Sequence, residues 1–75
     1  MVTVKVFYNS TGVAAKKSEC RVGLSVGAFD GVYHEYTDSN GEAHFANASP
    51  GEAEIYADGK VVFKGYVPSS IVVRV

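Results

Sequence analysis

Hydrophobic and polar residues alternate along most of this chain with a period of two. That spacing puts successive side chains on opposite faces of a β-strand. In residues 2–8, Val2, Val4, Val6 and Tyr8 form one row and Thr3, Lys5 and Phe7 the other. Asn9-Ser10-Thr11-Gly12 stops the pattern with four turn formers. Residues 13–19 (VAAKKSE) favour helix weakly but are too few for an independent one. They read as a loop with at most one helical turn, able to carry the chain to a second sheet. Alternation resumes over 20–28, where Cys20, Val22, Leu24, Val26 and Ala28 oppose Arg21, Gly23, Ser25 and Gly27. Glycines inside a strand mark a bend, a bulge or a close backbone approach. Asp30-Gly31 turns the chain into a third strand, 32–37, with Val32, His34 and Tyr36 on one face and Tyr33, Glu35 and Thr37 on the other.

The stretch 37–59 carries most of the turn chemistry. Asp38 can accept bonds from the amides ahead of it, and Gly41 can take the positive φ that closes the loop. A four-residue loop over 38–41 makes a hairpin that pairs Thr37 with Glu42, Tyr36 with Ala43, Glu35 with His44 and His34 with Phe45. A three-residue loop would bury a carboxylate. The four-residue register turns Tyr36, Ala43 and Phe45 inward, with His34 inward or at the edge. Residues 47–51 form a corner in which Pro50 fixes φ and Gly51 is free to take φ > 0. In 53–57, Ala53, Ile55 and Ala57 alternate with Glu54 and Tyr56. A two-residue Asp58-Gly59 loop would send Val61 and Phe63 to the Glu54 side. A three-residue loop closed by a left-handed Gly59 pairs Ile55 with Val61 and Ala53 with Phe63, giving one apolar face. Residues 60–66 make the sixth strand. After a turn at 67–70, 71–75 makes the seventh, with Ile71, Val73 and Val75 inward. Seven short strands with turns at roughly 8–12-residue spacing predict an all-β fold, a seven-stranded antiparallel Greek-key β-sandwich occupying 1–75 as a single domain.

Composition narrows the function classes. The chain has 75 residues, 47% hydrophobic and 20% charged, which is the profile of a globular domain near the lower size limit for folding alone. Its net charge is −1 and only Lys16-Lys17 are adjacent cations, so no basic stripe offers itself to nucleic acid. No apolar run of about 18 residues predicts a membrane-inserted helix. The first residues alternate instead of showing the charged-then-apolar order of a signal peptide. Cys20 is the single cysteine and reads as a small buried residue at a strand start, compatible with a reducing compartment. These features point to the cytoplasm.

No catalytic residues, cofactor or metal site are expected. His34 and His44 fall on opposite faces of the expected hairpin, Glu35 and His44 form a surface pair across it, and a third ligand is missing. Asp38, Asn40 and Glu42 resemble the start of a calcium loop, but Gly41 is misplaced for one and turn chemistry accounts for them. The aromatic content is higher than usual, with five Tyr and four Phe. Tyr33, Tyr56, Tyr66 and Phe7 fall opposite the apolar rows of their strands. Such rings either pack across strands or form a patch that anchors a protein or stacks on a sugar, Tyr56 and Tyr66 first. The resulting expectation is a non-catalytic binding or interaction module with a protein partner or a second copy of itself. The alternative is carbohydrate or small-ligand binding through outward tyrosines.

The sequence Asp38-x-x-Gly41-x-x-x-Phe45 followed by Pro50-Gly51-x-x-x-Ile55 resembles the carboxypeptidase regulatory-like and prealbumin (transthyretin)-like β-sandwich superfamily. Thr37 and Ala43 in the hairpin and Ala53 after the corner add to the match. The resemblance implies an immunoglobulin-like or prealbumin-like sandwich, usually an accessory, adhesive or ligand-binding module. For a domain excised from a larger protein it implies an envelope or extracellular setting. Two chemically active relatives fit poorly. The hydroxyisourate hydrolases end in Tyr-Arg-Gly-Ser, whereas this chain ends Ile71-Val72-Val73-Arg74-Val75. Collagen-adhesin B-type domains weld a first-strand Lys to a last-strand Asn, helped by an acid on a middle strand. Lys5 and Glu54 could serve there, but the last strand has no Asn or Asp.

Overall fold

A computed structural model describes residues 1–26 and 32–75, the side chain of Val26 apart. The expected end of the second strand at Ala28 and the Asp30-Gly31 turn lie outside the described residues. Among the described residues there are seven strands: β1 (Val2–Phe7), β2 (Arg21–Val26), β3 (Val32–Tyr36), β4 (Glu42–Phe45), β5 (Gly51–Ala57), β6 (Lys60–Val67) and β7 (Ser70–Arg74). They form two sheets, β4-β1-β7 and β3-β2-β5-β6. Every pairing is antiparallel except β1 with β7, which is parallel, so the smaller sheet is mixed. The fully antiparallel expectation fails there because β6 lies in the other sheet. The chain crosses over after Val67 and enters beside β1 running the same way. Among the described residues no helix is long and apolar enough to cross a membrane.

One core holds the two sheets together. In β1 the alternation is carried out as read, Val2, Val4 and Val6 being fully buried. They meet Val22 and Leu24 of β2, Ile55 of β5, Val67 of β6, Val73 of β7 and the ring of Phe45. Each such Val, Leu or Ile contributes about 1.5–3 kcal/mol by leaving water. Ala43, Ala53 and Ala57 are buried too, where small side chains let the layers approach.

The segment between β1 and β2 crosses from one sheet to the other, as its position suggested. It is fastened to β1 by Tyr8 N–H donating to the Val13 carbonyl (2.8 Å) and Ala15 N–H donating to the Val6 carbonyl (2.9 Å). Ala15 is fully buried under it. No helical turn forms. Lys17 and Ser18 sit instead at φ 39° and 67°.

The hairpin expected between β3 and β4 is not there. β3 pairs with β2, and β4 pairs with β1 in the other sheet. The Asp38 loop is closed locally, Asp38 N–H donating to the Glu42 carbonyl (2.9 Å), which is what makes it look like a hairpin turn. Yet Thr37 N–H donates to the Cys20 carbonyl in one sheet, and Val6 N–H donates to the Gly41 carbonyl in the other. The loop is an arch between layers. Released from that register, Tyr36 points to solvent and Tyr33, opposite Leu24, packs against the core. His34 is exposed, and the Glu35–His44 pair does not form.

The turn after β5 also differs from expectation. Ala57 pairs with Lys60 across a two-residue Asp58-Gly59 loop, whose φ values of 50° and 88° are those of a type I′ turn. The conflict over Phe63 is resolved by a bulge: Tyr56 pairs with Val61, Ile55 with Phe63, and Val62 is the extra residue. Phe63 therefore packs on the core while Val61 stays exposed, contrary to the three-residue-loop register. On β7, Val73 is buried and Ile71 half-buried, but Val75 lies beyond the strand and is exposed. Gly51 opens β5 without a positive φ.

Candidate functional site

The two sheets present outer faces of different chemistry. On the four-stranded sheet the register aligns His34, Gly23, Tyr56 and Val61 in one row across β3, β2, β5 and β6. Tyr36 beside Arg21 flanks this row on one side, and Val32 and Ser25 flank it on the other. Gly23 is what lets the rings close over the sheet. A β-carbon there would stand 3.3 Å from Tyr56 Cβ and 3.4 Å from His34 Cδ2. The hollow around it, about 160 Å³, is lined by Arg21, Gly23, Val32, His34, Tyr56 and Gly59. Tyr56 is anchored along its own strand, its hydroxyl donating to Glu54 Oε1 at 3.1 Å. That bond, with some loss of hydration, raises the phenol pKa above its ordinary value.

Of the aromatics singled out from sequence, Tyr56 and Tyr66 share this face, Tyr66 lying further along opposite Glu52. Tyr33 is on the inner side. Phe7 is on the outer face of the other sheet, where Lys5 Nζ lies 5.4 Å and Arg74 Cζ 5.7 Å from its ring centroid. Tyr36, Val32 and Val61 were not anticipated on the tyrosine face. The signal for them was the phase of β3 and β6, which depends on the arch and the bulge.

The outer face of the three-stranded sheet carries Thr3, Lys5 and Phe7 with Glu42 and His44 of β4. At its β4 edge the Asp38 loop adds a carboxylate. Asp38 Oδ1 accepts from the backbone N–H of Asn40 (2.8 Å) and of Glu42 (3.0 Å). Its Oδ2 is 3.0 Å from His44 Nε2, and Glu42 Oε1 is 3.8 Å from the same nitrogen. His44 Nδ1 lies 3.0 Å from Thr3 Oγ1. The Glu42 and Asn40 amides, in that order, and then His44 hold the Asp38 carboxyl below its ordinary pKa. Sequence reasoning assigned Asp38 and Gly41 to turn chemistry, which they do perform. It missed that the turn delivers Asp38 to the face shared by Glu42 and His44.

Asp58 and Gly59 make the β5–β6 turn, and Asp58 also ties it to β2. Arg21 N–H donates to Asp58 Oδ1 (3.1 Å) while Asp58 N–H donates to the Arg21 carbonyl (2.9 Å). Beneath them, burial pushes the Cys20 thiol up to about 11, and the Asp58 charge adds to the effect. Pro50 precedes β5 at the corner between layers. The chain matches no family model, no curated protein and no solved structure.

Proposed function

We propose that this chain is a non-catalytic interaction module that presents the outer face of its four-stranded sheet to a protein partner. One observation carries the reading. Of the eight large hydrophobic side chains exposed among the described residues, Val32, Tyr36, Val61 and Tyr66 all lie on that face, the first three around Tyr56 and Tyr66 beyond the Glu54–Lys64 pair. Tyrosines held on a rigid sheet lose little conformational freedom on binding and are common anchors of protein interfaces. The hollow over Gly23 is smaller than the roughly 300–1,000 Å³ of small-molecule pockets. A broad, shallow surface of this kind favours a macromolecular partner over an enclosed ligand.

The fold we infer is a prealbumin-like β-sandwich. A constant-type immunoglobulin domain would join its first strand to its second. Here the first strand lies between the fourth and the seventh. This order, with the Asp38–Phe45 and Pro50–Ile55 spacings, supports the prealbumin-like alternative.

The test places a photo-crosslinking amino acid at Tyr36 or Val61 and, as control, at Val72 on the other sheet. Sedimentation over a concentration series separates self-association from a foreign partner. A single crosslinked species from positions 36 and 61, absent from 72 and lost on Tyr56→Ser, is the expected result. A strict monomer that crosslinks equally from all three positions would refute the reading. So would NMR shifts of Tyr56 and Tyr66 with a glycan panel and no protein crosslink.

A further inference from the structure

We propose that Asp38, Glu42 and His44 bind a divalent first-row transition ion on the outer face of the three-stranded sheet. One donor atom from each residue lies within 4.8 Å of the other two. Two ligands at tetrahedral angles around such an ion stand roughly 3.4 Å apart. The His44–Asp38 and His44–Glu42 separations of 3.0 and 3.8 Å bracket that value. The third pair, Asp38 with Glu42, lies within 4.8 Å, so side-chain rotation must draw the carboxylates together for the ion to be held.

Two observations outside the three ligands point the same way. The first is Thr3. With an ion on His44 Nε2, the proton belongs on Nδ1, and Thr3 Oγ1 at 3.0 Å is placed to accept it. Such a partner on the second ring nitrogen fixes both tautomer and ring orientation at histidine-ligated metals. The second is charge. Among the described residues no Lys or Arg comes within ion-pair range of Asp38 or Glu42. Lys5 is the register neighbour of Glu42, yet its ammonium lies over the Phe7 ring. Two carboxylates thus converge on one imidazole nitrogen with no Lys or Arg among the described residues beside them, and a dication bound there would neutralise both. The imidazole selects Zn²⁺, Ni²⁺ or Cu²⁺ over Mg²⁺ or Ca²⁺, and a water would complete the coordination.

The ligands are held at different stiffness. Asp38 Oδ1 is committed to two backbone amides, so Oδ2 is aimed by the loop. Glu42 and His44 are two residues apart on one strand and project from the same face. The site depends on the arch after β3 and on β4 lying beside β1. It does not depend on the tyrosine face.

The test is calorimetric titration of the 75-residue chain with Zn²⁺, with histidine ring NMR to locate the ion. Saturable binding of one ion per chain is expected, perturbing His44 and sparing His34, and unaffected by excess Mg²⁺. His44→Asn and Glu42→Gln should each weaken it by about 10-fold or more, and Thr3→Val, which keeps all three ligands, by about 10-fold. Both Glu42→Gln and Thr3→Val lie on strand surfaces, so they keep the test open should His44→Asn disturb the fold. Absence of saturable binding, wild-type affinity in His44→Asn or Glu42→Gln, or equal competition by Mg²⁺ would overturn the proposal.

Discussion

Gly41 lies so close to Ala14 that a β-carbon at position 41 would stand 2.7 Å from the Ala14 methyl. This contact is where the arch after β3 presses on the crossing segment after β1, and Gly41 has φ +79° there. Gly41→Ala combines a left-handed backbone with a clash against a packed methyl. Its expected cost is roughly 2–4 kcal/mol. A domain this small has stability on the order of 5 kcal/mol, so the variant should keep only about 1–3 kcal/mol and unfold at much lower urea. Gly59→Ala is the control: φ is +88° but nothing lies within 4 Å, so only the backbone term, about 1 kcal/mol, should appear. Urea denaturation of both variants measures the difference.

The phase of β3 can be tested on its own tyrosines. Tyr33 packs against the core opposite Leu24, while Tyr36 is 59% exposed beside Arg21. Tyr33→Ala is expected to cost about 2–3 kcal/mol, and Tyr36→Ser to stay within about 0.5 kcal/mol of wild type. Chemical denaturation reads both. The opposite ranking would restore the hairpin between β3 and β4.

These two positions also show how much of the molecule was legible in its sequence. The strands were legible, because Val2, Val4 and Val6 or Ala53, Ile55 and Ala57 alternate cleanly and each lies in a stretch bounded by turn formers. Pairing was not legible where it depended on distant partners. Asp38 closes its loop with the same local bonds whether the chain turns back or crosses to another sheet. What decides is the docking of Gly41 against Ala14 and of β4 against β1, across more than two dozen residues of chain. The candidate metal site was hidden for the same reason. Glu42 and His44 were visibly on one face, but Thr3 joins them only once β4 lies along β1.

Cys20 links pH to stability through the Asp58 turn. Its thiol is buried and shifted up to about 11 from an ordinary 9.0, chiefly by burial and then by the Asp58 carboxylate. A native pKa above the unfolded one means that the unfolded thiol ionises first as pH rises. The contribution is fully present below pH 9.0 and is lost between 9.0 and about 11. Melting temperatures over that window should fall more steeply for wild type than for Cys20→Ala. Asp58→Asn keeps a turn residue tolerant of positive φ but removes the charge, and should bring the thiol partway back down. At neutral pH, modification by a thiol reagent should proceed only as fast as the protein opens. Rapid labelling of native protein would contradict the burial of Cys20.

The bulge in β6 makes a prediction that a uniform strand would not. Val62 is the extra residue between Val61, opposite Tyr56, and Phe63, opposite Ile55. Deleting Val62 removes the bulge and leaves every other pair of the β5–β6 ladder in place. Its cost should be limited to the packing of a half-buried valine, about 1–2 kcal/mol. Deleting Lys64 is different, although its side chain is exposed and its ion pair with Glu54 spans 4.0 Å. If the strand end shifts to fill the gap, Val67 comes opposite Glu52 and leaves the core. If the bulge is absorbed instead, Phe63 comes opposite Glu54 and Val62 takes its place against Ile55. Either way a large apolar side chain is expelled, so the expected cost is roughly 3–4 kcal/mol. Thermal unfolding with cross-strand amide exchange on the two deletion variants distinguishes them. Equal stability for both would mean that β6 carries no fixed bulge.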